Sequence, residues 1–503
     1  MRRELIFSLL CATAASANAA PPVFERIEVA PHAYDGGWEH FVGGGVAVFD
    51  CDGDTLPELF VAGGSNPSTL FQNTSTESLS FREDTPAQLA QTGVTGAYPL
   101  DVDSDGRMDL VVLRVGQDLL LQGRPDCTFA PFESLGFQSE DHWTTGFSAT
   151  WEDGQTLPTL AFGTYVDRSD PDGPFEACGP TVLYRPDGGR YTVPQHLEPG
   201  YCSLSILFSD WSRTGRADLR VSNDRHYYVR GGEEQLWSMG DTPRLYSSDD
   251  GWLPYSIWGM GIASRDLTGD GHPEVYLTSM GDQKFQVFDP EAEGPTWRDA
   301  TYDKGTTAHR PHAGDDGRPS TGWHAQFGDV NNDGLDDIFV AKGNVEQMPD
   351  AAMSDPNNLM IQKENGEFVE ASSEAGVASM SKSRGAALAD LNNDGRLDLV
   401  VVNRGADFEV YQNRSQSDNW LLVDVHQDRP NRMAVGGFLE VKTKFGTQTR
   451  EITVGGGHAS GIAGMQHFGI GEADSVQVRI VWPGGETGEW KDVAPNQIIR
   501  FGR

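Results

Sequence analysis

Carboxylates recur along this chain at alternate positions of short loops. Asp50, Asp52, Asp54 and Glu58 form the first set, and Asp101, Asp103, Asp105 and Asp109 the second. Three further sets carry three acids and one neutral oxygen donor each: Asp266, Thr268, Asp270 and Glu274; Asp329, Asn331, Asp333 and Asp337; Asp390, Asn392, Asp394 and Asp398. At the seventh position Leu56, Arg107, His272, Leu335 and Arg396 offer a backbone carbonyl. Oxygens at positions 1, 3, 5, 7 and 9 of a tight loop converge on one point. Without a cation, two such charges ~4 Å apart repel by ~4 kcal/mol at an effective dielectric of 20. A divalent ion removes the conflict, and an all-oxygen donor set selects Ca²⁺. Magnesium keeps several of its waters, and softer metals want Cys or His. Glycine at position 6 in four loops (Gly106, Gly271, Gly334, Gly395) allows the turn.

An EF-hand shares the first half of this pattern but requires Glu at position 12 and a helix on either side. Position 12 is Val61, Val112, Leu277, Val340 or Val401, each inside a β-rich run, so that reading is rejected. A solvated acidic turn explains one copy and fits poorly with repetition in register. Five Ca²⁺ sites are expected, with a weaker sixth at Asp210, whose loop keeps only Asp210 and Asp218 among acids. A degraded seventh copy, Trp151 to Leu160, retains Asp153 alone and is expected to be empty.

The loops begin at residues 50, 101, 151, 210, 266, 329 and 390, a period of 50 to 63 residues. Each lies between short apolar runs, such as Val46 to Phe49 before it and Leu59 to Ala62 after it, which reads as a hairpin with the acids at its tip. Two further strands follow in most units. Four strands at this period predict an all-β, seven-bladed β-propeller. The last unit stops at Asn413 without an outer strand, and Val23 to Val29 is predicted to supply it and close the ring.

The chain has 503 residues, with 38 Lys plus Arg against 74 Asp plus Glu, a formal charge of −36. That excess argues against nucleic acid or an anionic membrane as partner. Arg2 and Arg3, the apolar stretch Leu5 to Ala15 and the Ala17-Asn18-Ala19 site predict an export signal over residues 1–19 and a secreted, periplasmic or cell-surface protein. No stretch approaches the ~20 apolar residues of a membrane span. Outside the signal lie Cys51, Cys127, Cys178 and Cys202. Cys178 and Cys202 bracket a single insertion and are expected to pair, leaving Cys51 and Cys127 open.

The unit GGGVAVFDCDGDTLPELFVAGG, with its later copies, resembles the FG-GAP/VCBS repeat of α-integrin-like propellers, a resemblance that implies calcium in the hairpin loops. Beyond the polar linker Asn413 to Ser417 come Asn419-Trp420-Leu421-Leu422-Val423, Asn431-Arg432, Gly455-Gly456-Gly457, His467-Phe468-Gly469-Ile470-Gly471 and Val481-Trp482-Pro483-Gly484-Gly485. This order resembles the ASPIC/UnbV domain of the cartilage acidic protein-like family. The expected division is therefore a propeller over residues 20–417 and a compact β domain over 418–503. Gly455-Gly456-Gly457 lacks both the strand–turn–helix setting and the lysine of a phosphate loop. Asp224-Arg225-His226, His309 with His312, and Trp323-His324 are the acid/base candidates, and none has the spacing of a zinc site. The preferred reading is an exported calcium-binding propeller that recognises a protein or polysaccharide. The alternative is an extracytoplasmic enzyme acting on a carbohydrate or small metabolite at the face opposite the calcium hairpins, with Tyr165 to Gly200 and Asp303 to Gly317 as its loops.

Overall fold

The computed structural model describes residues 21–224, 232–281, 283–307 and 318–503. The export segment, His309, His312 and the Arg225-His226 pair lie outside these residues. Among the described residues, no helix is long and apolar enough to cross a membrane.

Seven antiparallel blades of four strands each follow one another along the chain. Their innermost strands are Val46–Phe49, Val94–Leu100, Asp141–Thr150, Ser203–Ser209, Gly259–Arg265, Gly322–Gly328 and Lys382–Ala389. Each packs beside the next, and the last beside the first, so the strands form a ring. Covered on both faces, they read as apolar and small residues without alternation: VAVF in blade one is wholly buried. The second strands, Glu58–Val61, Asp109–Gln117, Thr159–Thr164, Asp218–Asn223, Glu274–Ser279, Asp337–Lys342 and Asp398–Arg404, return antiparallel from the acidic loops. The loops therefore sit together on one face. Phe24–Ile27 pairs antiparallel with Val410 to Asn413 and supplies the outer strand of blade seven, so this blade is built from both ends of the propeller sequence. The end of Asp109–Gln117 overruns its blade and pairs with Asp141 to Trp143, fusing blades two and three into one sheet.

The C-terminal residues form two sheets. Asn419–His426 lies between Gln466–Gly471 and Gln497–Gly502, and Phe438–Thr443 lies between Gly446–Glu451 and Val476–Val481. These sheets do not stand apart from the propeller. Their core merges with that of blades two and three, where Leu421, Leu439 and Phe468 share a cluster with Phe147 and Phe162.

Residues 454–463 run down the axis of the ring and touch the inner strand of every blade. Val454 bridges to Ala149, Gly455 to Leu207, Gly457 to Ile262 and Ser460 to Ala97, while Gly461–Ile462 pairs parallel with Ala47 and Val48. Ser460 also packs on Gly385, and the His458 N–H donates to His324 Nδ1 at 3.0 Å. The Gly455-Gly456-Gly457 run has φ of +128°, +73° and +59°, a left-handed course that side chains resist. The ring is equally specific: a Cβ on Gly45 would lie 1.8 Å from the Ala459 carbonyl oxygen. His458 sits at the centre. Gly43 N–H donates to its Nε2 and its Nδ1–H donates to Met260 O, both at 3.1 Å.

Both disulfides form. Cys178–Cys202 joins the insertion of blade three to the start of blade four, as expected, and Cys51–Cys127 ties the first acidic loop to blade two.

Candidate metal centres

In every acidic loop the first carboxylate accepts from loop N–H groups and holds the turn closed. Asp101 accepts from Asp105 N and Gly106 N, Asp266 from Gly269 N and Gly271 N, Asp329 from Asp333 N and Gly334 N, and Asp390 from Asp394 N and Gly395 N, at 2.7–3.2 Å. Asp50 does the same with Gly53 N and Thr55 N. The fifth acid accepts from the seventh N–H: Asp54 from Leu56, Asp105 from Arg107, Asp270 from His272, Asp333 from Leu335 and Asp394 from Arg396. The ninth acid begins the second strand and reaches back across the loop mouth. Glu58 takes Cys51 N, Asp109 takes Val102 N, Glu274 takes Leu267 N and Thr268 N, Asp337 takes Val330 N and Asp398 takes Leu391 N. The four position-6 glycines all have φ between +80° and +95°.

This frame gathers carboxylates where water is scarce. Oxygens of Asp50, Asp52 and Glu58 lie within 4.8 Å of one another, as do those of Asp101, Asp103 and Asp109. Burial first, and neighbouring acids after it, push Glu58 and Asp109 up to about 8 and Asp101 up to about 6. Burial likewise lifts Glu274 to about 8 and Asp390 to about 7, with Asp270 and Asp394 as their charged neighbours. Asp329, Asp337 and Asp398 stand well above the usual carboxylate range for the same reasons. Carboxylates this close in the first two loops, with oxygen donors alone around them in the first, are a donor set that suits a hard divalent ion. Cys51 and Cys127 also adjoin Glu58, but their disulfide leaves no thiolate for a soft metal.

Several side chains take parts that residue type alone does not reveal. Arg107 and Arg396 offer more than a carbonyl, since each guanidinium turns back to the fifth acid, Asp105 at 3.1 Å and Asp394 at 2.5 Å. His272 packs on Phe288 and meets Trp211 O at 2.9 Å. Asn331 and Asn392 donate to Asp333 and Asp394 at 3.0 and 3.2 Å. In the Asp210 loop Trp211 Nε1–H and Tyr246 O–H both donate to Asp218 at 2.9 Å. In the degraded loop Thr159 stands at the ninth position and donates to Glu152, and Arg185 pairs with the same carboxylate at 2.8 Å.

The C-terminal domain covers most of these loops, which the spacing of acids could not disclose. Asn431 N–H donates to Ser104 Oγ at 3.0 Å, Glu451 accepts from Asp210 N at 2.7 Å, Arg450 pairs with Asp336 at 2.9 Å and His467 meets Gly395 O at 3.0 Å. A Cβ on Gly469 would fall 1.9 Å from Asp329 Oδ2. The first loop is left open to solvent, with Asp52, Gly53 and Asp54 exposed. The only cue in the sequence was the alternating apolar pattern around Glu451, which places that carboxylate on the face opposite the domain's core.

Comparison with known proteins follows the same division. The FG-GAP-like repeat family matches residues 50–112, 266–340 and 329–401, and the ASPIC and UnbV family matches residues 427–503. Cartilage acidic protein 1 of Mus musculus is 28% identical over 292 residues, covering 52% of this chain and 43% of that protein; the Homo sapiens protein is 28% identical over 292 residues, covering 52% and 42%. The match thus spans less than half the length of these relatives. Among solved structures, BBS1N in complex with ARL6DN covers 80% of this chain and 99% of its own at 9% identity and a TM-score of 0.46. An Agrocybe aegerita lectin specific for non-reducing terminal N-acetylglucosamine covers 74% and 80% at 13% identity and a TM-score of 0.31. The chain thus carries FG-GAP-like repeats followed by a C-terminal ASPIC and UnbV domain.

Proposed function

We propose that this is an exported calcium-binding propeller that serves as a binding or scaffold module for a protein or polysaccharide. The observation that carries the proposal is the crowding of carboxylates at the loop tips, clearest at Asp50, Asp52 and Glu58 and at Asp101, Asp103 and Asp109, with Glu58, Asp101 and Asp109 buried. The loops at Asp266, Asp329 and Asp390 repeat the same hydrogen-bonded frame. Bound calcium would be held by acids 1, 3, 5 and 9, with Thr268, Asn331 and Asn392 as neutral donors and the seventh carbonyl completing each set. Its chemistry there is charge neutralisation, which ties the first strand of a blade to the second. Affinities of extracellular modules, ~10⁻⁴–10⁻³ M, suit calcium-rich surroundings. Two disulfides and the similarity to cartilage acidic protein 1 support export.

The enzymatic alternative draws less support. Trp323 and His324 lie beneath the axial segment, 0% and 3% exposed, and His324 is engaged in holding His458. Thermal melting in calcium and in chelator tests the proposal on the full chain and on Asp50→Ala, Asp101→Ala and Asp390→Ala. At ten times its dissociation constant each independent site adds about 1.4 kcal/mol. Each variant is expected to lose part of the calcium-dependent increment. Equal melting with and without chelator would refute the metal assignment.

A further inference from the structure

On the face of blade five away from the acidic loops lies a hollow of about 380 Å³, within the range of small-molecule sites. The strand Glu274–Ser279 runs from the Asp266 loop towards it. Gln283 and Lys284 follow that strand, and Asp299, Thr301, Tyr302 and Thr307 line the other side. Tyr302 is 88% exposed, yet its backbone is fixed in a turn: Tyr302 O accepts from Gly305 N at 3.1 Å, and Lys304 O accepts from Phe368 N at 2.8 Å. A Cβ on Gly305, whose φ is +70°, would lie 2.8 Å from Phe368 O, so the turn is held against blade six. The phenol ring is a free aromatic face on a rigid support. Gln283 supplies a polar counterpart. It is 4% exposed, its Oε1 accepts the Tyr276 O–H at 2.7 Å, and its Nε2 has no acceptor among the described residues. Unlike the sealed Trp143 and Trp237 nitrogens, that Nε2 is not closed off from solvent.

The one cation of the hollow is engaged. Lys284 Nζ donates to Asp299 Oδ2 at 3.1 Å and lies over the Tyr255 ring, and Asp303 adds a further acid, so an anionic ligand finds no free partner. Asp299 Oδ1 accepts from Thr301 N and Oγ1 at 2.9 and 2.6 Å. With three of its roughly four acceptor positions used, that carboxylate can take one donor more. We propose that this hollow binds a neutral pyranose ring, stacked on Tyr302, with its hydroxyls accepting from Gln283 Nε2 and donating to Asp299. A sugar matches the mixture: one face of the ring is C–H surface that a phenol covers, while the hydroxyls at its rim both donate and accept. A buried donor without a partner is costly, which favours a ligand that brings an acceptor to it. The inference rests on the binding-module reading above, to which it gives a ligand class and a place.

The test uses the full chain in calcium buffer, with binding read by saturation-transfer NMR. The probes are the methyl β-pyranosides of glucose, galactose, mannose and N-acetylglucosamine, with glucitol as an acyclic polyol that lacks the ring face. At least one pyranoside is expected to bind saturably with a Kd of about 1–10 mM, and glucitol about tenfold more weakly. Tyr302→Ala, a change at an exposed position, should weaken the pyranoside about tenfold, whereas Tyr302→Phe should retain it within about twofold. Gln283→Glu keeps an acceptor for Tyr276 and removes the amide donor, so it should weaken binding about tenfold. The Tyr302 pair decides the matter should the buried variant fail to fold. Absence of binding by all four pyranosides, binding unaltered in Tyr302→Ala or in folded Gln283→Glu, or equal affinity for glucitol would each overturn the proposal. Calcium-dependent melting without pyranoside binding would sink this inference alone, and pyranoside binding without calcium-dependent melting would sink the metal reading alone.

Discussion

Replacing His458 by glutamine gives a deficit in stability whose size changes with pH. The ring is fully enclosed among Gly43, Met260, Trp323 and Arg384, and burial, with the Arg384 and His324 charges beside it, depresses its pKa to about 3. A histidine in the unfolded chain titrates near 6.5. Because the folded value is the lower one, the contribution of the neutral ring is fully present above pH 6.5 and declines as pH falls towards 3. The decline is about 1.4 kcal/mol per pH unit, or about 2 kcal/mol between pH 6.5 and pH 5. Glutamine keeps an acceptor for the Gly43 N–H, leaves Met260 O without its donor and does not titrate. At pH 7 the variant should be less stable by about 1–3 kcal/mol, the cost of an unmet buried acceptor. At pH 5 that deficit should be about 2 kcal/mol smaller. Urea unfolding of both proteins at the two pH values, in excess calcium, measures the difference. The buried carboxylates, His324 and His467 titrate in both proteins and largely cancel. A deficit independent of pH would refute the placement of a neutral histidine on the propeller axis.

Gly45→Ala should be destabilising by about 3 kcal/mol or more, since its Cβ meets the Ala459 backbone and no flexible side chain can yield; denaturant midpoints check this. Asp118 is fully buried, accepts from Arg114 N, Thr144 and Ser139, and is raised to about 7, chiefly by burial. Its folded value is the higher one, so it erodes stability as pH rises from about 4 through 7, and Asp118→Asn should be stabilising at pH 8 and nearly neutral at pH 4 in melting experiments. Removing the Cys178–Cys202 bridge with a Cys178→Ser, Cys202→Ser pair should cost about 3.5 kcal/mol on a chain-entropy estimate for a separation of 24 residues, read from unfolding in oxidising buffer.

The propeller was legible because each blade is a local unit: strand, acidic tip and returning strand lie within about sixty residues, and the apolar runs announce their burial. The closing strand was legible too, because Val23 to Val29 has the composition of the outer strands it joins. The axial segment was not. Gly43 and His458 are 415 positions apart, and no periodicity links them. The triple glycine was visible as a turn, but its reason is the left-handed path through a ring with no room for side chains. Asn73 and Asn413 begin sequence patterns that resemble glycosylation sites. Both are buried, where their amides donate to Leu391 O and Val330 O and latch each blade to the loop of the preceding one. Within the loops the acids were identified from spacing alone. The covering domain was missed because the contacts of Glu451, Arg450 and Gly469 with the loops arise only once both domains are folded.

Calorimetric titration of the chelator-stripped full chain with calcium reaches the central claim most directly. The loop assignments predict saturable binding of about five ions, reduced by about one in Asp101→Ala. Absence of binding heat, or a stoichiometry unchanged when Asp101 and Asp390 are both replaced by alanine, would contradict it.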